Sequence, residues 1–120
     1  MQPMNLADMS PDSPVTLYVT VSDREQGIEI GKALVDAKLA ACANVSDGLT
    51  SIFSWDGHVQ TETEAFLFAK TRACLIEDAT KLVTELHSYD CPCVVALPIV
   101  GGNTEFIDWI RAETAQRADC

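Results

Sequence analysis

Few side chains in this sequence combine the residue type and the spacing that chemistry demands. Cys91 and Cys93 flank Pro92 shortly after His87, which groups two thiols and an imidazole, donors suited to a soft metal ion. The other reading of the cysteine pair is packing, two small residues beside a proline that leads into a strand. Glu62 and Glu64 lie two apart and so share one face of an extended segment. They either bind a hard cation or remain solvated or paired across subunits. Cys42 sits in an alanine-rich apolar stretch, where a thiol is commonly buried and inert. His87 ends a helical stretch, where it either caps the helix or lines a cleft; His58, beside a turn, is read as solvated. Casting Cys42, His87 and Asp90 as nucleophile, base and orienting acid would give a cysteine hydrolase, but no spacing supports those roles. A P-loop is absent, as is a Cys-x-x-Cys after the first strand, and Ser22-Asp23-Arg24 leads into an acidic helix rather than a phosphate loop. No catalytic residue is assigned and no enzyme is expected.

These residues need a scaffold, and 120 residues with 48% hydrophobic content suffice for one core. The formal net charge of -10 repels phosphate backbones and anionic lipid while attracting cations, so neither nucleic acid nor membrane is an expected partner. No long apolar run or secretory signal is found. Five cysteines at irregular spacing make a poor disulfide framework. Mostly free thiols and a cytoplasmic location are expected, with Cys74 a reduced core residue.

Residues 1 to 14, carrying Pro3, Pro11 and Pro14, read as a loose tail, and 113 to 120 as a frayed end around a domain of 15 to 112. Residues 15 to 21 alternate as a strand. Ser22 and Glu25 have capping-box spacing for a helix whose inward stripe is Ile28, Gly31, Leu34, Val35 and Leu39, with Gly27 and Gly31 permitting close packing on a sheet. A strand interrupted near Gly48 runs to Trp55. Asp56-Gly57 suits a two-residue turn with positive φ, pairing 55 with 58 and 53 with 60. The return strand, 58 to 70, spans roughly 40 Å at about 3.3 Å per residue. A compact domain of about 100 residues has a radius of gyration near 13 Å, so the hairpin overhangs its own helices. Phe53 and Trp55 share a face with Phe66 and Phe68, which is either an exposed interface or lies under the helices. Thr71 caps a second helix with the stripe Leu75, Ala79, Leu82, Val83 and Leu86. Residues 94 to 100 form an apolar strand, and Gly101-Gly102-Asn103 opens a third helix. The order is an α/β (α+β) ferredoxin-like βαββαβ fold with a long hairpin between its second and third strands and an extra C-terminal helix.

Lys38-Leu39-Ala40-Ala41-Cys42-Ala43-Asn44 resembles the helix-to-strand junction of the CutA divalent-cation tolerance proteins. Ser51, Trp55, Gly57 and Glu64 fit that family's pattern, with Phe53 where tyrosine is usual. Lys70-Thr71, the segment His87 to Pro92, and Leu97-Pro98 with Gly102, Phe106 and Trp109 also resemble it. The resemblance implies a homotrimer, PII-like in its assembly, with a cleft between subunits; Trp55, Glu62, Glu64, Lys70, Tyr89 and Trp109 are the residues placed there. It implies copper or another divalent cation as ligand. Cys42 and His87 stand at positions resembling those proposed as copper ligands in the family, whereas the further cysteine of some members aligns with Val19 and Cys93 replaces a common glutamate. Three functions follow: a cation-binding tolerance protein, a PII-like small-ligand sensor, or a trimeric scaffold for a partner protein.

Overall fold

The structure, a computed structural model, describes residues 9 to 115. The alternating segment forms β1 (Pro14–Val21), with Val15, Leu17, Val19 and Val21 buried. After it come α1 (Arg24–Asp36), β2 (Cys42–Trp55), β3 (His58–Arg72), a short 3-10 turn (Ala73–Leu75), α2 (Ile76–Leu86), β4 (Val94–Pro98) and α3 (Thr104–Thr114). The four strands make one antiparallel sheet in the order β2-β3-β1-β4, as the ferredoxin-like expectation requires. Ile30 and Leu34 of α1 and Ala79 and Val83 of α2 pack on Leu17, Val19, Ala65, Leu67 and Ala69 of the sheet.

The start of α1 is one residue later than Ser22 predicts. The Asp23 carboxylate accepts from the Gln26 amide at 2.8 Å, and Gln26 Oε1 accepts from the Ser22 amide at 3.0 Å. A carboxylate is the stronger acceptor at the positive end of a helix. The inward stripe turns with it, to Gly27, Ile30, Gly31 and Leu34, and leaves Ile28 and Val35 only partly buried. Both glycines sit where the helix meets the sheet. A Cβ on Gly27 would lie 2.8 Å from Val45 Cγ1 and 3.3 Å from Val21 Cγ2, and one on Gly31 would lie 3.2 Å from Ala43 Cβ. The absent side chains set the distance between α1 and β2.

The second helix also starts later than predicted. Thr71 is fully buried and pairs with Val15 inside the sheet, so it caps nothing, and α2 begins at Ile76. The expected domain edges move outward as well. Ser13 and Pro11 carbonyls accept from the Ala73 and Cys74 amides at 2.8 and 2.9 Å. Asp12 pairs with Arg72 and Arg111, each at 3.2 Å. At the other end, buried Thr114 accepts from Arg72 Nε at 2.8 Å. An arginine this deeply buried requires such partners, so residues 11 to 14 and 113 to 114 belong to the fold. Residues 1 to 8 and 116 to 120 lie outside the described residues.

The interruption near Gly48 is a β-bulge between Ser46 and Leu49, with Gly48 at φ 72. One extra residue reverses the alternation of β2. Ala43 and Val45 face α1, whereas Ser51, Phe53 and Trp55 beyond the bulge join Glu62, Glu64, Phe66 and Phe68 on the opposite face. The turn at Asp56 (φ 51) and Gly57 (φ 76) sets the predicted pairs, Trp55 with His58 and Phe53 with Gln60. The hairpin projects: Ile52, Trp55 and Val59 are 70%, 63% and 78% exposed, and the radius of gyration is 15.1 Å. Phe66 and Phe68 lie on the face away from α1 and α2, clustered with Tyr18 at ring distances of 5.4 to 6.1 Å.

Gly27→Val forces a branched side chain into the contact with Val45. It is expected to cost about 1–3 kcal/mol by overpacking, seen as a lower urea midpoint at fixed protein concentration; an unchanged midpoint would show that the helix can move away freely.

Candidate functional site

The reversal at the bulge assembles a site. Phe53 and Trp55 from β2 and Glu62 and Glu64 from β3 form one wall of a cavity of about 770 Å³. The segment between α2 and β4 forms the other, through Tyr89, Asp90, Cys91 and Cys93. His87 ends α2 in an extended conformation (φ -77, ψ 146), and Pro92 bars a helix from restarting before β4.

Tyr89 joins the two walls. Its hydroxyl donates to Glu64 Oε2 at 2.8 Å, and its ring packs on His87 with centroids 4.6 Å apart. Its backbone N–H donates to His87 Nδ1 at 3.0 Å, while His87 Nε2 lies 2.7 Å from the Thr20 carbonyl. An Nδ1 that accepts leaves the proton on Nε2, which donates to Thr20. Both ring nitrogens are engaged, and His87 acts as a bracket between β1 and the cavity wall.

The electrostatics are those of a negative site. Burial, the bond to Glu64 and the charges of Glu64, Glu62 and Asp23 push the Tyr89 hydroxyl from 10.0 up to about 12. Burial raises Tyr18 too, helped by Cys93 and Glu64. Each cause disfavours a further negative charge.

Of the residues singled out from sequence, Trp55, Glu62, Glu64, Tyr89, Cys91 and Cys93 line this one cavity. Cys91 and Cys93 are exposed free thiols. Lys70 and Trp109 lie elsewhere. Lys70 Nζ donates to Asn44 Oδ1 near the base of the hairpin, and Trp109 packs at a tilt against Phe106 of α3, ring centroids 5.4 Å apart. Cys42 and His87 do not meet within one chain. Cys42 is opposite Lys70 and the His87 partner Thr20 is opposite Phe66, four residues apart and so roughly 13 Å along β3. With both His87 nitrogens occupied, that pair does not fit a metal. Among the described residues no three His, Cys, Asp or Glu side chains are grouped to hold one. Thr20, Gln60 and Ser88 also line the cavity and were missed from sequence; only Gln60 had a signal, its predicted pairing with Phe53.

The model of the family described as CutA1 divalent ion tolerance protein matches residues 15–113. A protein of Arabidopsis thaliana named "Protein CutA, chloroplastic" is 42% identical over 100 residues, covering 83% of this chain and 55% of that protein. A "Divalent-cation tolerance protein CutA" of Thermus thermophilus is 44% identical over 98 residues, covering 82% and 95%. The crystal structure of CutA1 from Oryza sativa superposes with a TM-score of 0.82 at 40% identity, covering 89% of this chain and 99% of that one. The chain thus spans little more than half of the plant protein's length and nearly all of the bacterial one.

The chain has two tyrosines, Tyr18 and Tyr89, so a spectrophotometric titration reads both. Tyr89 is expected to ionise near pH 12, and Glu64→Gln to lower both midpoints. Because the folded value is raised, its contribution to stability is complete below pH 10 and is lost as pH climbs toward about 12. Two ordinary midpoints in the native protein would contradict the part-buried Tyr89–Glu64 hydrogen bond.

Proposed function

The chain belongs to the CutA1 divalent ion tolerance protein family, and on that premise we propose that it is a homotrimeric, non-enzymatic module that binds divalent cations, copper among them, in an acidic cleft beside its open sheet face. The observation that carries this reading is the position of that cleft. Glu62, Glu64 and Asp90 line it, and the same sheet face continues into the Tyr18, Phe66 and Phe68 rings, flanked by Val95 and Leu97 at 49% exposure each.

Two physical arguments support it. Apolar surface in water costs about 25 cal/mol per Å², and α1 and α2 cover only the other face. Copies of the chain that cover the open face also shelter the arm and wall the cleft. A net charge of -10 then gathers cations where the carboxylates meet. Copper in its divalent form accepts oxygen donors, so Glu62 and Glu64 are the proposed holders rather than Cys42 with His87. A histidine whose two ring nitrogens both serve the backbone is poorly placed as a general base, which supports binding over catalysis.

A second reading, a small-ligand sensor, draws on the cavity itself. Its volume of about 770 Å³ and its aromatic wall lie in the range of small-molecule sites, roughly 300–1,000 Å³. The compartment proposed is the cytoplasm, on the free thiols of Cys42, Cys91 and Cys93, although Cys74 is disulfide-bonded, against the reduced core cysteine expected there; among the described residues no helix is long and apolar enough to cross a membrane.

Titration calorimetry with divalent copper and with zinc tests the proposal. A dication gains about 2 kcal/mol from one carboxylate at about 4 Å even at the dielectric of water, so Glu64→Gln is expected to weaken binding about tenfold or more. Equal binding by wild type and by the double variant Glu62→Gln/Glu64→Gln would overturn the assignment. Thermal stabilisation by a nucleotide or carboxylate metabolite without any cation heat would favour the sensor.

A further inference from the structure

Cysteine is among the residues most often fully buried, yet Cys91 and Cys93 are both exposed free thiols, and both open onto the cavity that holds Glu64 and Tyr89. Pro92 between them has φ fixed near about -65°, so both sulfurs hang from a stiff segment that runs directly into β4. Cα atoms two residues apart can be no more than roughly 7 Å apart. A metal–sulfur bond is about 2.3 Å, so a sulfur–metal–sulfur bridge of roughly 4.6 Å is within reach of the two side chains.

We infer that Cys91 and Cys93 form a dithiolate site for cuprous copper at the rim of the cleft. Ligand number selects the ion. A structural zinc takes four ligands, and among the described residues no group of three His, Cys, Asp or Glu is arranged to hold a metal. Cuprous copper is soft, favours thiolate, and is satisfied by two ligands in line. The step conserves charge and electrons: each thiol releases its proton to water, two copper–sulfur bonds form, and the product carries one negative charge with copper still cuprous. Glu62 and Glu64 raise the local cation concentration without serving as ligands. The inference rests on the cation-binding reading of the cavity but places a different ion on different atoms.

The test is an anaerobic titration of the full chain with cuprous copper buffered by bicinchoninate, followed by the loss of the chelator's colour and by the ultraviolet thiolate-to-copper charge-transfer band. Wild type is expected to take one cuprous ion per chain. Cys91→Ser and Cys93→Ser are each expected to lose more affinity than the ~10–100-fold typical of an outer-shell partner, while Cys42→Ser binds as wild type. Both side chains are exposed, so circular dichroism should find the variants folded. Unchanged copper uptake in Cys91→Ser/Cys93→Ser, or none in wild type, overturns the inference. The divalent titration of the glutamate variants is read separately, so either claim can fail while the other stands.

Discussion

One inserted residue in β2 governs which way the arm faces. Alternation along a strand is strict, so without the bulge between Ser46 and Leu49 the side chains of Phe53 and Trp55 would point to the side of α1, and Ile52 to the side of Tyr18 and Phe66. With it, the aromatic residues of the arm, the two glutamates of β3 and the ring cluster at the sheet centre share one surface. The β2 wall of the cavity, Phe53 and Trp55 set beside Glu62 and Glu64, is therefore the consequence of a single irregularity. Gly48, at φ 72, supplies a conformation that residues with a side chain adopt at a cost.

The other face is fixed by close approach. Gly27 and Gly31 seat α1 against Val45, Val21 and Ala43, and Ile30, Leu34, Ala79 and Val83 complete the core beneath the sheet. This core is saturated by its own chain. The opposite face is not, since Val95 and Leu97 remain half exposed beside the rings. An antiparallel sheet can leave one face to water when that face is polar; here it carries Tyr18, Phe66, Phe68, Val95 and Leu97, which is the pattern of a surface meant for contact.

Much of this was legible in the residues. Alternation located β1, Asp56-Gly57 set the hairpin register to the residue, and the small residues of α1 announced tight packing. The helix starts were legible only approximately, because Ser22 and Asp23 compete for one cap and Thr71 has the side chain of a cap but the environment of a strand. The Asp12–Arg72–Thr114 contacts could not be read, since they join residues far apart in sequence through a buried guanidinium. In the site, residues on the hairpin were placed by register, so Trp55, Glu62 and Glu64 met as the pairing requires. Tyr89 and the cysteines depend on the path of the irregular segment between Leu86 and Val94, which no periodicity encodes. Lys70 and Trp109 were grouped with the cleft by resemblance, and within a single chain they lie apart from it.

Whether copies of the chain cover the open face decides the account. Sedimentation equilibrium over a range of dilutions measures this directly: the account predicts a mass of about three times 13.0 kDa that persists on dilution, and a mass of 13.0 kDa throughout would contradict it.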